Sequence, residues 1–280
     1  ERGRRVSLVY LYNSGASSML IHHSDITIVI PRRGINDDNK GKKHALHRLI
    51  TEAKTEYIWM QDDDIIPPFS APPYTIAYPS HTQADLLILP LRMQTASSQP
   101  SLLERLQIAE YAAIQQLTIE AAQRGHAVMC SGANLIVKRD QWLASYLDIK
   151  PEIPSGDDMF LLESFKRQGL VVAVCDNPQY EAIVRPHTSW RAFCQQRMRW
   201  AGKAPKYTDK DILRCGAIIL IANLLQIICP LFLLFKFPIE YRLINKRDPS
   251  ISICTALLLE ILYPWYILIA ILGGLFRKQW

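Results

Sequence analysis

"CGAIILIANLLQIICPLFLLF", Cys215 to Phe235, runs for 21 positions without a charged side chain. That matches the ~20 residues needed to cross a hydrocarbon core, and the segment reads as a transmembrane helix. A second stretch, "ISICTALLLEILYPWYILIAILGGLF" from Ile251 to Phe276, is also long enough but carries Glu260 and Pro264. A spanning helix is expected, with a re-entrant or interfacial segment as the alternative. Nearly all long apolar runs lie beyond residue 210. Residues 1–206 therefore read as one globular domain, and 207–280 as a membrane region with helices at about 215–235 and 252–276.

The formal charge of +6 raises the question of nucleic acid. Many of the basic residues flank the apolar runs, however: Lys203, Lys206, Lys210 and Arg214 before the first, Arg277 and Lys278 after the second. Such a distribution suits an anionic cytoplasmic leaflet, so no nucleic-acid partner is expected. It places an integral protein in the inner, cytoplasmic membrane with residues 1–206 facing the cytoplasm. Lys236, Arg242, Lys246 and Arg247, in what reads as the connecting loop, count against that orientation, because a two-span hairpin would put them outside. Six cysteines form no CxxC pair and are read as buried or reduced thiols. No signal peptide is visible and the chain starts at Glu1, which reads as a fragment or a processed form.

Along the first part, "RVSLVYLY" (5–12) reads as a strand ending at the turn-rich "NSGASS", and "DITIVIP" (25–31) as a second strand. "GKKHALHRLITEAKTE" (41–56) begins at Gly41 and carries Ala45, Leu46, Leu49, Ile50 and Ala53 at helical spacing. "YIWM" and "ADLLILPLRM" (84–93) supply further strands, and "SLLERLQIAEYAAIQQLTIEAAQRG" (101–125) a packed helix. Strands alternating with helices predict an α/β domain with a largely parallel sheet, whose ligands sit beyond the carboxyl ends of the strands.

Asp62, Asp63 and Asp64 leave "YIWMQ" at that end. Adjacent carboxylates repel and are kept on a solvated turn or where a cation balances them. If the segment stays extended, Asp62 and Asp64 point the same way and Asp63 elsewhere. Such a pair suits Mg²⁺ or Mn²⁺, which bind through one or two carboxylates and complete their shells with water and phosphate. A charged surface turn explains the tripeptide equally well by itself. Asp157 and Asp158 precede "MFLLESF", where either could serve as a helix cap; for Asp157 capping is the expected job. "HTSWRAFCQQRMRWAGK" (187–203) also fits a helix on the membrane surface. His22, His23, His44, His47, His81, His126 and His187 show no metal-ligand spacing.

Five stretches occur in a particular order: "GKKHAL" (41–46), the aspartates, "CSGANLIVKRDQW" (130–142), "SGDDMFLL" (155–162) and "QQRMRW" (195–200). Together they resemble the family 2 glycosyltransferases of GT-A fold, especially the membrane-bound branch of cellulose and hyaluronan synthases, over about residues 25–206. The resemblance implies a GT-A, Rossmann-like catalytic domain followed by transmembrane helices, and a hexosyltransferase of polysaccharide biosynthesis. The enzyme would be inverting and would use Mg²⁺ or Mn²⁺, a nucleotide-sugar donor, most simply UDP-linked, and a lipid-linked or saccharide acceptor. It implies Asp64 as a metal ligand and Asp62 against the donor and at the metal, with Lys42 on the donor side. Asp158 would be the general base, and Asp157 before it in the motif would bind substrate. Gln196, Arg199 and Trp200 would meet the acceptor and the leaving diphosphate.

The beginning departs from the family pattern. Asn13 and Ser14 stand where a carboxylate is expected, and the family's first strand and helix have no counterpart in these residues. Either the chain is a fragment or the nucleoside pocket is built differently. Two membrane segments are also few for a polymer-translocating synthase. The alternative is a truncated, non-catalytic membrane protein that binds nucleotide sugar. A phosphatase with a D-x-D nucleophile fits poorly, because Ile65, Ile66 and Pro67 follow the aspartates.

Overall fold

The computed structural model describes residues 7–13, 16–23, 26–30, 42–68, 84–153 and 155–276. Of the residues singled out above, Ser14, Gly41, His81, Arg277 and Lys278 lie outside the described residues. In chain order the elements are β1 Ser7–Asn13, β2 Ala16–His23, β3 Ile26–Ile30, α1 Lys42–Glu52, β4 Tyr57–Gln61, β5 Leu86–Ile88, β6 Leu91–Met93 and α2 Leu102–Gln123. They continue as β7 Asn134–Lys138, α3 Arg139–Ala144, α4 Asp157–Arg167, β8 Val172–Val174, β9 Ala182–Val184, α5 Trp190–Ala201, α6 Lys210–Ile228, α7 Leu233–Arg247 and α8 Ile253–Phe276. The chain divides into two compact units, residues 1–91 with 129–182 and residues 92–128 with 183–280. The division differs from the boundary at residue 206 drawn from hydropathy, because α2 and α5 belong with the apolar helices.

The first unit is built on a seven-stranded sheet of order β1-β2-β3-β4-β7-β5-β8. Only β3–β4 and β5–β8 pair in parallel; the other neighbours, including β7 against both β4 and β5, are antiparallel. The sheet is thus mixed rather than largely parallel. The cause at its start is chain length: two-residue connections join β1 to β2 and β2 to β3, and a parallel neighbour needs a crossover of a dozen residues or more. β2 escapes the sequence pattern because Ala16, Ser17 and Ser18 read as turn residues. The single strand expected over 84–93 is two, β5 and β6, separated at Leu89–Pro90, where proline offers no N–H to a ladder. β6 instead pairs with β9 in a separate two-stranded sheet.

β4 buries Ile58, Trp59, Met60 and Gln61, and Trp59 packs with Leu87, Leu89 and Ile136. On α1 the expected face is buried through Leu46, Leu49 and Ile50. Lys43 joins that face against expectation: it is 2% exposed, donates to the carbonyls of Ile149 (2.6 Å) and Lys150 (2.9 Å), and lies over the Phe160 ring.

In the second unit α2 starts with a capping box, in which Ser101 Oγ accepts from Glu104 N–H while the Glu104 carboxylate accepts from Ser101 N–H. Leu106 and Ala109 of α2 pack with Ile244 of α7 and with Ala256 and Leu259 of α8. The helix expected over 215–235 is corrected: α6 runs from Lys210 to Ile228 and stops at Cys229, whose ψ of 92° is extended. Pro230 causes the break, since a residue before proline is driven out of the helical region. The apparent loop beyond it is α7, which tolerates Pro238.

α6 and α8 are long and apolar enough to cross a membrane, and Pro264 does not interrupt α8. Ile218, Ile221 and Ile228 of α6, Leu234, Phe235 and Ile239 of α7, and Trp265, Ile269 and Leu272 of α8 are exposed. Glu260 is buried, its carboxylate 2.5 Å from Lys236 Nζ, and Gln226 Nε2 donates to the Glu260 carbonyl at 2.8 Å. All six cysteines are free thiols.

Candidate functional site

A charged cluster forms where four segments of the first unit meet. Lys42 opens α1, Asp62 follows the last residue of β4, Gly132 lies just before β7, and Asp157 and Asp158 occupy the first turn of α4. Lys42 Nζ is 2.7 Å from Asp62 Oδ1 and 3.3 Å from Asp157 Oδ2. Burial alone would lower the Lys42 ammonium, but Asp157 and Asp62, with a smaller contribution from Asp158, outweigh it and hold the group above the ordinary lysine value. Burial would likewise raise the Asp157 carboxyl, and the Lys42 charge overrides it, so the carboxyl stays below its ordinary value. Each charge is therefore kept by the other.

The two aspartates of α4 divide the work differently from the sequence expectation. Gly156 is the N-cap, and Asp157 turns its carboxylate to Lys42 instead of capping. Asp158 takes the backbone amides: Oδ1 accepts from Met159 N–H at 2.8 Å and Oδ2 from Gly132 N–H at 3.3 Å. A β-carbon on Gly132 would sit 3.1 Å from Asp157 Oδ2 and 3.8 Å from Asp158 Cβ, so a larger residue there would press on the Asp157 carboxylate. The Cys130 thiol donates to the Asp158 carbonyl at 3.3 Å. Burial first, then Asp158 and Asp157, push that thiol well above its usual range, which keeps it protonated.

The cluster rests on a buried support that has no motif. Asn134 is 1% exposed; its Oδ1 accepts from Trp59 Nε1 at 2.8 Å, and its Nδ2 donates to the carbonyls of Pro90 and Tyr180. With both ends of its amide engaged, Asn134 ties β4 to the segment carrying Gly132. Its place in "SGAN" was the available signal, but its partners lie tens of residues away.

Alternation along a strand does not govern the acidic tripeptide, because β4 ends at Gln61 and Asp63 and Asp64 lie on a turn with exposed side chains. Asp62 faces Lys42. Among the described residues no three His, Cys, Asp or Glu side chains form a metal cage. His44 and His47 pack with aromatic rings: His47 stacks on Tyr146 at 3.9 Å, and His44 meets the same ring edge-on.

In the second unit, Ser189 caps α5 by accepting from Ala192 N–H, and α5 carries Gln196, Arg199 and Trp200. Arg199 and Trp200 are exposed and Gln196 half-buried. Between them Arg197 is buried; its Nη1 donates to Gln196 Oε1 at 2.7 Å, and its guanidinium lies 4.2 Å from the Trp200 ring centre. The sequence-predicted residues therefore gather in two groups, one in each unit: Lys42, Asp62, Asp157 and Asp158 in the first, Gln196 and Trp200 in the second.

Residues 17–203, more than half of the chain, match the model of a family described as "Glycosyltransferase like family 2". No curated protein matches. Among solved structures, the crystal structure of a mycobacterial protein is similar at 17% identity with a TM-score of 0.32, covering 62% of this chain and 62% of that one.

Proposed function

The chain belongs to the family described as "Glycosyltransferase like family 2"; from that premise we propose that it is a glycosyltransferase that transfers a sugar from a UDP-linked donor to a lipid-linked or saccharide acceptor, with inversion, at the cytoplasmic face of the inner membrane. The observation that carries the proposal is the Lys42–Asp62–Asp157 cluster at the carboxyl end of β4, with Asp158 on the same turn of α4. An ammonium shared between two carboxylates leaves the cluster net negative, so a donor diphosphate there needs a cation beside it. Asp158, oriented by two backbone amides, is the carboxylate in the role of general base. It takes the proton of the acceptor hydroxyl as that oxygen bonds to the anomeric carbon, and the bond from that carbon to the diphosphate breaks on the opposite face. One displacement inverts the centre.

The donor set fits a divalent cation in kind. Asp62 and Asp64 offer hard carboxylate oxygens, which suit Mg²⁺ or Mn²⁺ with water and phosphate in the remaining positions. Such an ion would supply positive charge to the leaving diphosphate. Arg199 is assigned to the same diphosphate and Gln196 and Trp200 to the acceptor. The exposed apolar faces of α6 and α8, together with the basic residues before α6, support the membrane assignment. Residues 1–206 are proposed as the catalytic part and 207–280 as the membrane part.

Calorimetric titration of UDP into the membrane-reconstituted protein tests the proposal. Binding that needs Mg²⁺ or Mn²⁺ and disappears in Asp64→Ala is expected. UDP affinity indifferent to both would refute the donor site.

A further inference from the structure

Arg197 stands at a position of "QQRMRW" to which the motif assigns no role, yet it is 5% exposed and every part of its guanidinium is engaged. Its Nε and Nη2 donate to Glu110 Oε1 at 3.2 Å and Oε2 at 2.5 Å, a two-point contact with a carboxylate that is itself 3% exposed. Tyr266 of α8 donates its hydroxyl to Glu110 Oε1, the oxygen that also accepts from Arg197 Nε. Nη1 goes to Gln196 Oε1, and the flat face meets the Phe193 and Trp200 rings at 4.8 and 4.2 Å. Burial alone would lower this guanidinium, and Glu110 holds it above its usual value, so it is charged throughout.

We propose that Arg197 is a positioning residue for the acceptor side of transfer: anchored on Glu110 and Tyr266, it fixes the Gln196 carboxamide and the Trp200 ring in the one arrangement that receives the acceptor. The proposal rests on the reading that Gln196 and Trp200 meet the acceptor. Guanidinium has donors and no acceptor, so Gln196 must turn its oxygen inward, and its N–H₂ is left to donate to an acceptor oxygen. The Trp200 ring, 39% exposed, rests on the guanidinium and keeps apolar surface for a sugar. An ion pair kept only for folding needs none of this: a buried pair is no more stabilising than apolar residues of similar volume. Lysine would preserve the charge but neither the fork nor the stacking plane.

The second anchor makes the arrangement depend on α8. A β-carbon on Gly274 would sit 2.8 Å from Gly202 N and 2.9 Å from Met198 O, so α5 and α8 meet backbone to backbone just beyond the motif. Tyr266, two turns earlier on α8, reaches Glu110 from the same helix.

The test compares Arg197→Lys and Glu110→Gln with Gln196→Ala and Trp200→Ala in the reconstituted protein, measuring acceptor KM, transfer kcat and UDP affinity. Loss of hydrogen bonds to a charged group predicts that Arg197→Lys and Glu110→Gln lower kcat/KM for the acceptor by roughly 10- to 100-fold, with UDP affinity held within about twofold. Tyr266→Phe, which removes a single hydroxyl, gives a smaller loss in the same parameter and serves if Glu110→Gln fails to fold. Unchanged acceptor kinetics in Arg197→Lys, beside impaired Gln196→Ala and Trp200→Ala, would overturn the proposal alone. UDP affinity falling in parallel with transfer would also overturn it, by showing a merely structural role. Full acceptor kinetics in Gln196→Ala and Trp200→Ala would remove the underlying reading instead.

Discussion

Replacing Lys42 with methionine removes the one ammonium that Asp62 and Asp157 share. Their side chains are only 12% and 8% exposed, so each carboxylate would lose that adjacent charge in a poorly solvated corner. Breaking a fully buried pair costs ~3–5 kcal/mol. Lys42 keeps 27% of its side chain exposed and stands 3.3 Å from Asp157, which puts the expected loss at or below the low end of that range. A loss of ~2–3 kcal/mol corresponds to a fall of about 4–12 °C in apparent Tm.

The penalty carries a pH signature. In the native protein Asp157 sits below its ordinary value of 3.8, so its contribution is present above that pH and is lost as pH falls through the depressed folded value. Lys42, raised above 10.5, contributes at every pH below that. Without Lys42 the burial of Asp157 dominates, its carboxyl moves up, and folding loses stability as pH rises past about 4. Thermal melts of the native protein and Lys42→Met between pH 4 and 8 should therefore diverge with rising pH. Lys42→Met/Asp157→Asn should recover most of the difference. Parallel melts across the range, or a double variant worse than the single, would refute the reasoning.

Glu260→Gln leaves Lys236 paired with Glu240 at 3.1 Å, so it should destabilise the second unit by only ~1–3 kcal/mol, which detergent unfolding would measure. Glu120 is held down from 4.5 to about 2 by hydrogen bonds from Lys246 and Gln116, with Arg242 adding charge. Its stabilisation is full above about pH 4.5 and disappears as pH falls toward 2, so the acid melt of Glu120→Gln should lose that part of its slope. Gly132→Ala puts a methyl 3.1 Å from Asp157 Oδ2 and should weaken UDP binding by displacing that carboxylate; unchanged affinity would show that the corner yields freely.

Where burial follows local periodicity, the sequence was readable. Leu46, Leu49 and Ile50 of α1 bury as their spacing predicts, α2 forms within the stretch read as a packed helix, and the acidic tripeptide does stand at the end of β4. Features decided by distant partners were not readable. Lys43 is buried because two carbonyls over a hundred residues later accept from it. Arg197 is buried because Glu110, 87 residues earlier, meets its fork. Lys236 reads as a loop charge until Glu260, 24 residues on, is found against it. Asp157 turns to Lys42 instead of capping for the same reason: a cap signal is local, while Lys42 and Gly132 reach α4 through the fold.

Asp158→Asn tests the central claim most directly. The amide oxygen can still accept from Met159 N–H, so that bond of the turn is retained, while the proton acceptor and the contact from Gly132 N–H are lost. With UDP affinity confirmed, the rate of sugar transfer should fall by roughly 10²- to 10⁴-fold, the usual worth of a general base. Transfer at the native rate by Asp158→Asn would contradict the account.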